Sequence, residues 1–126
     1  MRPSSSPSDD PGERTRREVL GDAHVDRAQE RATDFSRPFQ ELITRFAWGE
    51  VWNRPGLDRR QRSMITLATL TAVRAEGELE LHVRAALRNG LEPEEIREVL
   101  LHTAVYAGVP AANAAFAIAQ RVLEEG

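Results

Sequence analysis

Hydrophobic residues recur along this chain at helical spacing, and no segment shows the alternation of apolar and polar residues that is typical of a strand. We therefore predict an all-α fold of about six helices over residues 14–126. A Ser-, Pro- and Asp-rich stretch, residues 1–13, is predicted to be a disordered tail. Capping and turn residues divide the rest into predicted helices at about 14–34 (with a break near Gly21), 36–52, 58–75, 78–89, 93–108 and 111–125.

Two stretches carry no charge, residues 63–73 and 99–120. The second is long enough to suggest a membrane span, but Gly108 and Pro110 interrupt it and His102 and Asn113 lie within it. We interpret it as two buried helices and expect no membrane association. So small a domain cannot cover helices that are apolar on nearly every side, which predicts an obligate homo-oligomer. The N-terminus lacks the apolar core of a secretory signal, so a cytoplasmic location is expected.

The amino-acid composition limits the partners that the chain could bind and the reactions that it could catalyse. The net charge of −3 does not provide the basic surface that nucleic-acid binding requires, so no nucleic-acid partner is expected. The chain has no cysteine, which excludes thiolate and disulfide chemistry. All 17 basic residues are arginines, which excludes an imine-forming lysine. Any catalysis must use His, Asp, Glu, Arg, Ser or Tyr.

His82 is the strongest candidate for proton transfer. Helical spacing places it beside the apolar stripe of its helix, with Glu78 one turn earlier, where a carboxylate can fix the tautomer of the ring. A satisfied core histidine or a surface ion pair would give the same pattern. His24 lies in a charged segment and is expected to be solvated, and His102 is expected to flank an interface. The spacing of the three histidines matches no metal-ligand signature, and no metal is predicted.

Several arginines surround Trp48 and Trp52 in the sequence, a combination suited to holding a carboxylate against an apolar wall. Ordinary surface salt bridges explain most of them equally well. Arg62 is the better candidate because it opens the uncharged helix beside Ser63.

Three motifs resemble the carboxymuconolactone decarboxylase family: FAWGEVWNRPGL at 46–57, ELELHVRAA at 78–86 and YAGVPAAN at 106–113. The resemblance implies a helical fold assembled as trimers or hexamers. It implies cofactor-free decarboxylation of 4-carboxymuconolactone to β-ketoadipate enol-lactone, in the β-ketoadipate pathway of aromatic catabolism. Related alkylhydroperoxidase-D-like proteins use two cysteines, which fall here on Ala75 and Glu78, so peroxidase activity is not expected.

On this resemblance His82 is the proton donor and Glu78 orients it. The substrate is its own electron sink, so no cofactor is needed. Arg62 or Arg84 is expected to hold the acetate carboxylate of the substrate, with Trp48, Trp52 and Tyr106 completing the binding residues. Two alternatives stay open. One is a decarboxylase or isomerase acting on another lactone or keto acid through His82, and the other is a non-catalytic oligomeric binding module of the same fold.

Overall fold

The computed structural model describes residues 10–125, in which the chain is helical and contains no strand. It divides into two compact units, Met1–Leu57 and Asp58–Gly126. The prediction of an all-α fold is confirmed. The described residues form seven α-helices rather than about six: α1 (Pro11–Leu20), α2 (Asp22–Arg31), α3 (Arg37–Ile43), α4 (Arg59–Ala72), α5 (Glu76–Arg88), α6 (Pro93–Ala107) and α7 (Val109–Glu124).

The N-terminal unit begins earlier than predicted. Asp10 caps α1 by accepting a hydrogen bond from the backbone N–H of Gly12 at 2.9 Å, and Pro11 occupies the first turn, where its missing N–H costs nothing. The prediction that residues 11–13 belong to a disordered tail was therefore wrong, and residues 1–9 of that prediction lie outside the described part of the chain. Gly21, at φ 91°, ends α1 and separates it from α2.

α3 continues into a π-helical segment, Thr44–Val51, that carries Trp48. The segment packs closely on α1 at Gly12. A Cβ built on Gly12 would lie 2.3 Å from the carbonyl oxygen of Thr44, so only glycine permits this approach. Thr15 of α1 also donates a hydrogen bond at 2.7 Å to Asn53, which follows the segment. These contacts fix the π-helical segment against α1.

In the C-terminal unit, α4 and α5 form a helical hairpin. Asp58 and Gln61 make a reciprocal capping box at the start of α4, and Arg74, at φ 61°, turns the chain toward α5. The predicted start of α5 at Glu78 was two residues late. Gly77 lies in open space in the first turn of α5, where a glycine does not prevent the helix from starting.

α6 and α7 complete this unit. Glu92 and Glu95 form the capping box of α6, and Gly108, at φ 104°, separates the two helices. The core is aliphatic, with these fully buried members: Leu67, Leu79, Val83, Ala86, Ile96, Leu100 and Ala115. Within residues 10–125, no helix is long and apolar enough to cross a membrane.

Candidate functional site

A hydrogen bond between α4 and α5 shows which side of α5 faces its neighbour. The amide nitrogen of Asn89 donates to the hydroxyl of the buried Ser63 at 2.8 Å. Helical periodicity places Ala85, His82 and Glu78 on one stripe of α5, and Asn89, the residue that follows the helix, continues that stripe. His82 therefore lies on the side of α5 that meets α4.

His82 is half-buried, as its position beside the apolar stripe predicted, and Glu78, one turn earlier, is exposed. A half-buried imidazole is shielded enough to transfer a proton to a bound molecule and open enough to be reached by one. The roles of His82 as acid and Glu78 as its support remain predictions.

Arg62 lies half-buried in the first turn of α4, next to Ser63. Because Ser63 contacts Asn89, the start of α4 is level with the end of α5, seven residues beyond His82. Seven residues of helix correspond to about 10 Å along the axis. An arginine side chain and a small substrate can together cover that distance, so Arg62 is compatible with binding one end of a molecule that meets His82 at the other.

Arg84 is already engaged with two carboxylates. Its guanidinium donates to Glu125 at 2.5 and 3.1 Å and lies 3.6 Å from Glu80. The hydrogen bonds to Glu125 raise the pKa of Arg84 and lower the pKa of Glu125. Two residues of helix turn the chain by about 200°, so Arg84 projects from the side of α5 opposite His82. This geometry disfavours Arg84 as the carboxylate anchor for a molecule bound at His82 of the same chain.

The predicted aromatic residues occur in different elements. Trp48 and Trp52 contact each other in the N-terminal unit, with ring centroids 5.1 Å apart, and Trp48 is buried. Tyr106 lies on α6 of the C-terminal unit, is 80% exposed, and packs on His102 with centroids 5.3 Å apart. The structure thus brings the two tryptophans together and pairs Tyr106 with His102. Substrate binding by these three aromatics remains a prediction.

Sequence reasoning missed Arg16 of α1, which is only 6% exposed. Its guanidinium donates to Gln40 at 3.0 Å and to Thr44 at 3.3 Å. The signal was present, because the buried positions of α1 follow the spacing i, i+3, i+4, i+7 and i+8 of a core-facing stripe. Those positions are Gly12, Thr15, Arg16, Val19 and Leu20. An arginine inside such a stripe is a buried cation.

Over the described residues 10–125, no three His, Cys, Asp or Glu side chains are grouped so that they could hold a metal ion. The ionisable side chains of the C-terminal unit are two imidazoles, one phenol, carboxylates and guanidiniums. Such a set can exchange protons and bind anions.

Comparison with known sequences gives the family. A sequence model of the carboxymuconolactone decarboxylase family matches residues 37–121. The 4-carboxymuconolactone decarboxylase of Acinetobacter baylyi is 49% identical over 90% of this chain and 85% of its own length. The chain belongs to the carboxymuconolactone decarboxylase family.

Two further relatives show the range within the family. Nitrosuccinic acid decarboxylase of Metarhizium robertsii is 48% identical over 92% of this chain and 81% of its own length. A 4-carboxymuconolactone decarboxylase of Pseudomonas putida is 58% identical over 41 residues, which is 32% of this chain. Both names describe carboxy-lyases, and this carboxymuconolactone decarboxylase family member has no cysteine for the thiol chemistry of a peroxidase.

Proposed function

We propose that this chain is a carboxy-lyase that converts 4-carboxymuconolactone to β-ketoadipate enol-lactone and CO2 without a cofactor, as a step of aromatic catabolism. The observation that carries the proposal is the 49% identity to a 4-carboxymuconolactone decarboxylase over 90% of the chain. An alignment over 90% of the chain includes residues of both units.

The structure of the substrate explains why arginine, carboxylate and histidine side chains suffice for this decarboxylation without a cofactor. One ring carbon bears the leaving carboxylate and an acetate arm. When the bond to CO2 breaks, its electron pair moves through the ring double bond to the lactone carbonyl oxygen and forms a dienolate. A proton then adds to the carbon next to that carbonyl and gives the enol-lactone. The protein has only to position the substrate, stabilise the oxyanion and supply the proton.

His82 is the proposed proton donor and Glu78 the residue that orients its ring. His82 is half-buried, whereas His102, the other histidine of the C-terminal unit, is exposed, so His82 is the imidazole better screened from water. Glu78 lies one helical turn earlier, at the spacing at which side chains on one face of a helix can meet.

Decarboxylation of nitrosuccinic acid is a second candidate function, favoured by 48% identity over 92% of the chain. The two candidate substrates share one chemical unit. In each, a single carbon bears the carboxylate that leaves, a CH2–carboxylate arm that stays, and a group that accepts the electron pair. In nitrosuccinate that acceptor is the nitro group, which becomes a nitronate. The retained arm calls for a cation, and Arg62 is the proposed anchor.

We also propose that the chain works as a homo-oligomer. A groove of about 510 Å³ runs between α4 and α6, and its apolar lining includes Met64, Ile65 and Val99. Ile65, Val105 and Val109 expose 53%, 74% and 72% of their surface. Exposed apolar side chains of this size, one of which lines an apolar groove, are typical of a subunit interface. Val105→Glu should lower the mass measured by light scattering, whereas Gln120→Glu on α7 should not. A monomeric wild type would contradict the proposal.

The deciding experiment measures CO2 release from freshly prepared 4-carboxymuconolactone and, in parallel, from nitrosuccinate. Wild type, His82→Ala and Glu78→Gln are compared after treatment with EDTA. His24→Ala is the matched control, because it removes the same side chain from the N-terminal unit, at a residue with no assigned role in binding or proton transfer. Loss of a general acid lowers the rate by about 10²- to 10⁴-fold, so His82→Ala should show that loss and Glu78→Gln a smaller one.

The two substrates separate the candidate functions. Turnover of the lactone alone supports the first proposal, and turnover of nitrosuccinate alone replaces it with the second. Equal activity of wild type and His82→Ala would remove His82 as the proton donor while keeping the reaction. No turnover of either acid by the oligomeric wild type would favour a non-catalytic binding module or a different substrate.

A further inference from the structure

Arg16 is a buried cation with only neutral partners in direct contact. It exposes 6% of its surface, and its two terminal nitrogens donate to the side chains of Gln40 and Thr44. Its third nitrogen, Nε, is buried and has no acceptor among the described residues. Over residues 10–125, no carboxylate lies within ion-pair distance of Arg16. The guanidinium therefore carries a charge that direct contacts do not balance.

An unbalanced buried charge is costly, because the protein interior solvates it poorly. Burial lowers the pKa of Arg16, the field of Glu13 partly opposes that change, and Arg17 adds to it. An anion bound at the guanidinium would balance this charge. A carboxylate suits the site because its two oxygens can accept two parallel hydrogen bonds from the planar guanidinium.

The structure offers space for such an anion. A cavity of about 440 Å³ within the N-terminal unit is lined by Arg16 together with Arg37 and Arg45. Gln29, Gln40 and Thr44 contribute further polar groups to its wall. This volume lies within the range of roughly 300–1,000 Å³ that is usual for small-molecule sites.

Three carboxylates also line the cavity, and two of them are already bound. Asp10 accepts a backbone hydrogen bond from Gly12 at 2.9 Å as the cap of α1. Glu13 accepts a hydrogen bond from Gln29 and lies 3.8 Å from Arg17. The third, Glu41, is exposed, as are Arg37 and Arg45, so solvent screens these charges. Arg16 is the one charged group of the wall that is almost fully buried.

We infer that this cavity binds the carboxylate of a small organic acid, held in bidentate fashion by Arg16. The acid is a small dicarboxylate other than the substrate, whose retained carboxylate is assigned above to Arg62. The binding itself does not depend on the proposed decarboxylation, because it rests on Arg16 and its cavity alone.

The test is thermal unfolding of the full chain with sodium succinate, against sodium chloride at matched ionic strength. A ligand that binds only the folded state raises the midpoint with concentration, so wild type should respond to succinate and not to chloride. Arg16→Gln should lose the response. Arg27→Gln, an exposed arginine of α2 outside the cavity, is the matched control and should keep it.

Gln40→Glu tests the inference even if Arg16→Gln fails to fold. This change is nearly isosteric and places a fixed carboxylate at the group that now accepts from Arg16 at 3.0 Å. It should raise the midpoint without ligand and weaken succinate binding about tenfold or more, because the counter-charge is then built in. A full succinate response in Gln40→Glu, or equal responses of wild type to succinate and chloride, would overturn the inference.

Steady-state kinetics of the active enzyme check that the acid is not the substrate. Gln40→Glu should leave KM unchanged while the succinate response is lost. A rise in KM of about tenfold or more would show that the cavity holds the substrate and would overturn this assignment of the acid. Because the unfolding test needs no turnover, failure of the decarboxylase proposal would leave it intact.

Discussion

The two units of this chain bury different kinds of residue. The C-terminal unit has an aliphatic core that includes Leu67, Leu79 and Ile96, each no more than 1% exposed. The N-terminal unit also buries apolar residues, such as Val19 and Val25. In addition, it buries the cation Arg16 and the close backbone contact between Gly12 and Thr44.

The difference predicts how each unit responds to mutation. Aliphatic burial is non-directional, so the C-terminal unit should lose stability in proportion to the volume removed from its core. The N-terminal unit depends on the fit of a backbone contact and on hydrogen bonds to one guanidinium. It should be sensitive to small additions of volume and to changes of charge.

The largest expected effect on stability is at the centre of the aliphatic core. Leu67 is fully buried, and Leu67→Ala should lower the free energy of unfolding by about 2–5 kcal/mol because it removes apolar contacts and leaves a cavity. Urea unfolding followed by circular dichroism measures this loss. Leu42→Ala is the matched control, since Leu42 is 46% exposed, and should cost far less. Similar losses in both variants would contradict the description of the core.

An intermediate effect is expected where the N-terminal unit is most tightly packed. Gly12→Ala adds one methyl group that would lie 2.3 Å from the carbonyl oxygen of Thr44, so α1 and the π-helical segment must separate. Overpacking of this kind costs about 1–3 kcal/mol. The tryptophan fluorescence of unfolding is the suitable measurement, because both tryptophans lie in this unit.

Gly56→Ala provides the control for that change. A Cβ at Gly56 meets nothing within 4 Å, so the same substitution should leave the unfolding midpoint nearly unchanged. Equal destabilisation by the two alanines would show that flexibility of the glycines, rather than the contact of Gly12 with Thr44, controls the stability of the unit.

Much of the fold could be predicted from the sequence, because helix starts and ends have local chemical causes. Asp58 before α4, Pro93 in the first turn of α6 and Gly108 before α7 are read directly from residue type. The start of α1 was missed because one cap, Asp10, had to be distinguished within a run of Ser, Pro and Asp. The π-helical segment was also missed: residue types predict an ordinary helix over 36–52, and the close approach of this segment to Gly12 involves residues distant in sequence.

The candidate site was predictable only as far as single helices determine it. The half-buried position of His82 and its spacing from Glu78 follow from the period of α5. The engagement of Arg84 with Glu125 could not be predicted, because the two residues lie 41 positions apart and meet only when α5 packs on α7. The polar partners of Arg16 likewise lie 24 and 28 positions away.

The smallest expected effect concerns a surface contact of the C-terminal unit, and it depends on pH. Glu95 accepts a hydrogen bond at 2.8 Å from the backbone N–H of Glu92 and another from Arg60. These bonds lower the pKa of Glu95 below its usual value of 4.5, with the backbone bond as the larger cause. Because the folded-state pKa is depressed, the contribution to stability is present above the unfolded-state pKa and is lost as pH falls through the folded-state value.

Glu95→Gln removes this titration, so the variant should lose less stability than wild type between about pH 6 and about pH 3. The midpoint of urea unfolding at a series of pH values measures the difference, which should be small because solvent screens the carboxylate. Glu94→Gln makes the same change of charge at an exposed neighbour that has neither hydrogen bond. If both variants follow the same pH dependence, the net charge of the α6 N-terminus is responsible, and not the hydrogen bonds that Glu95 accepts.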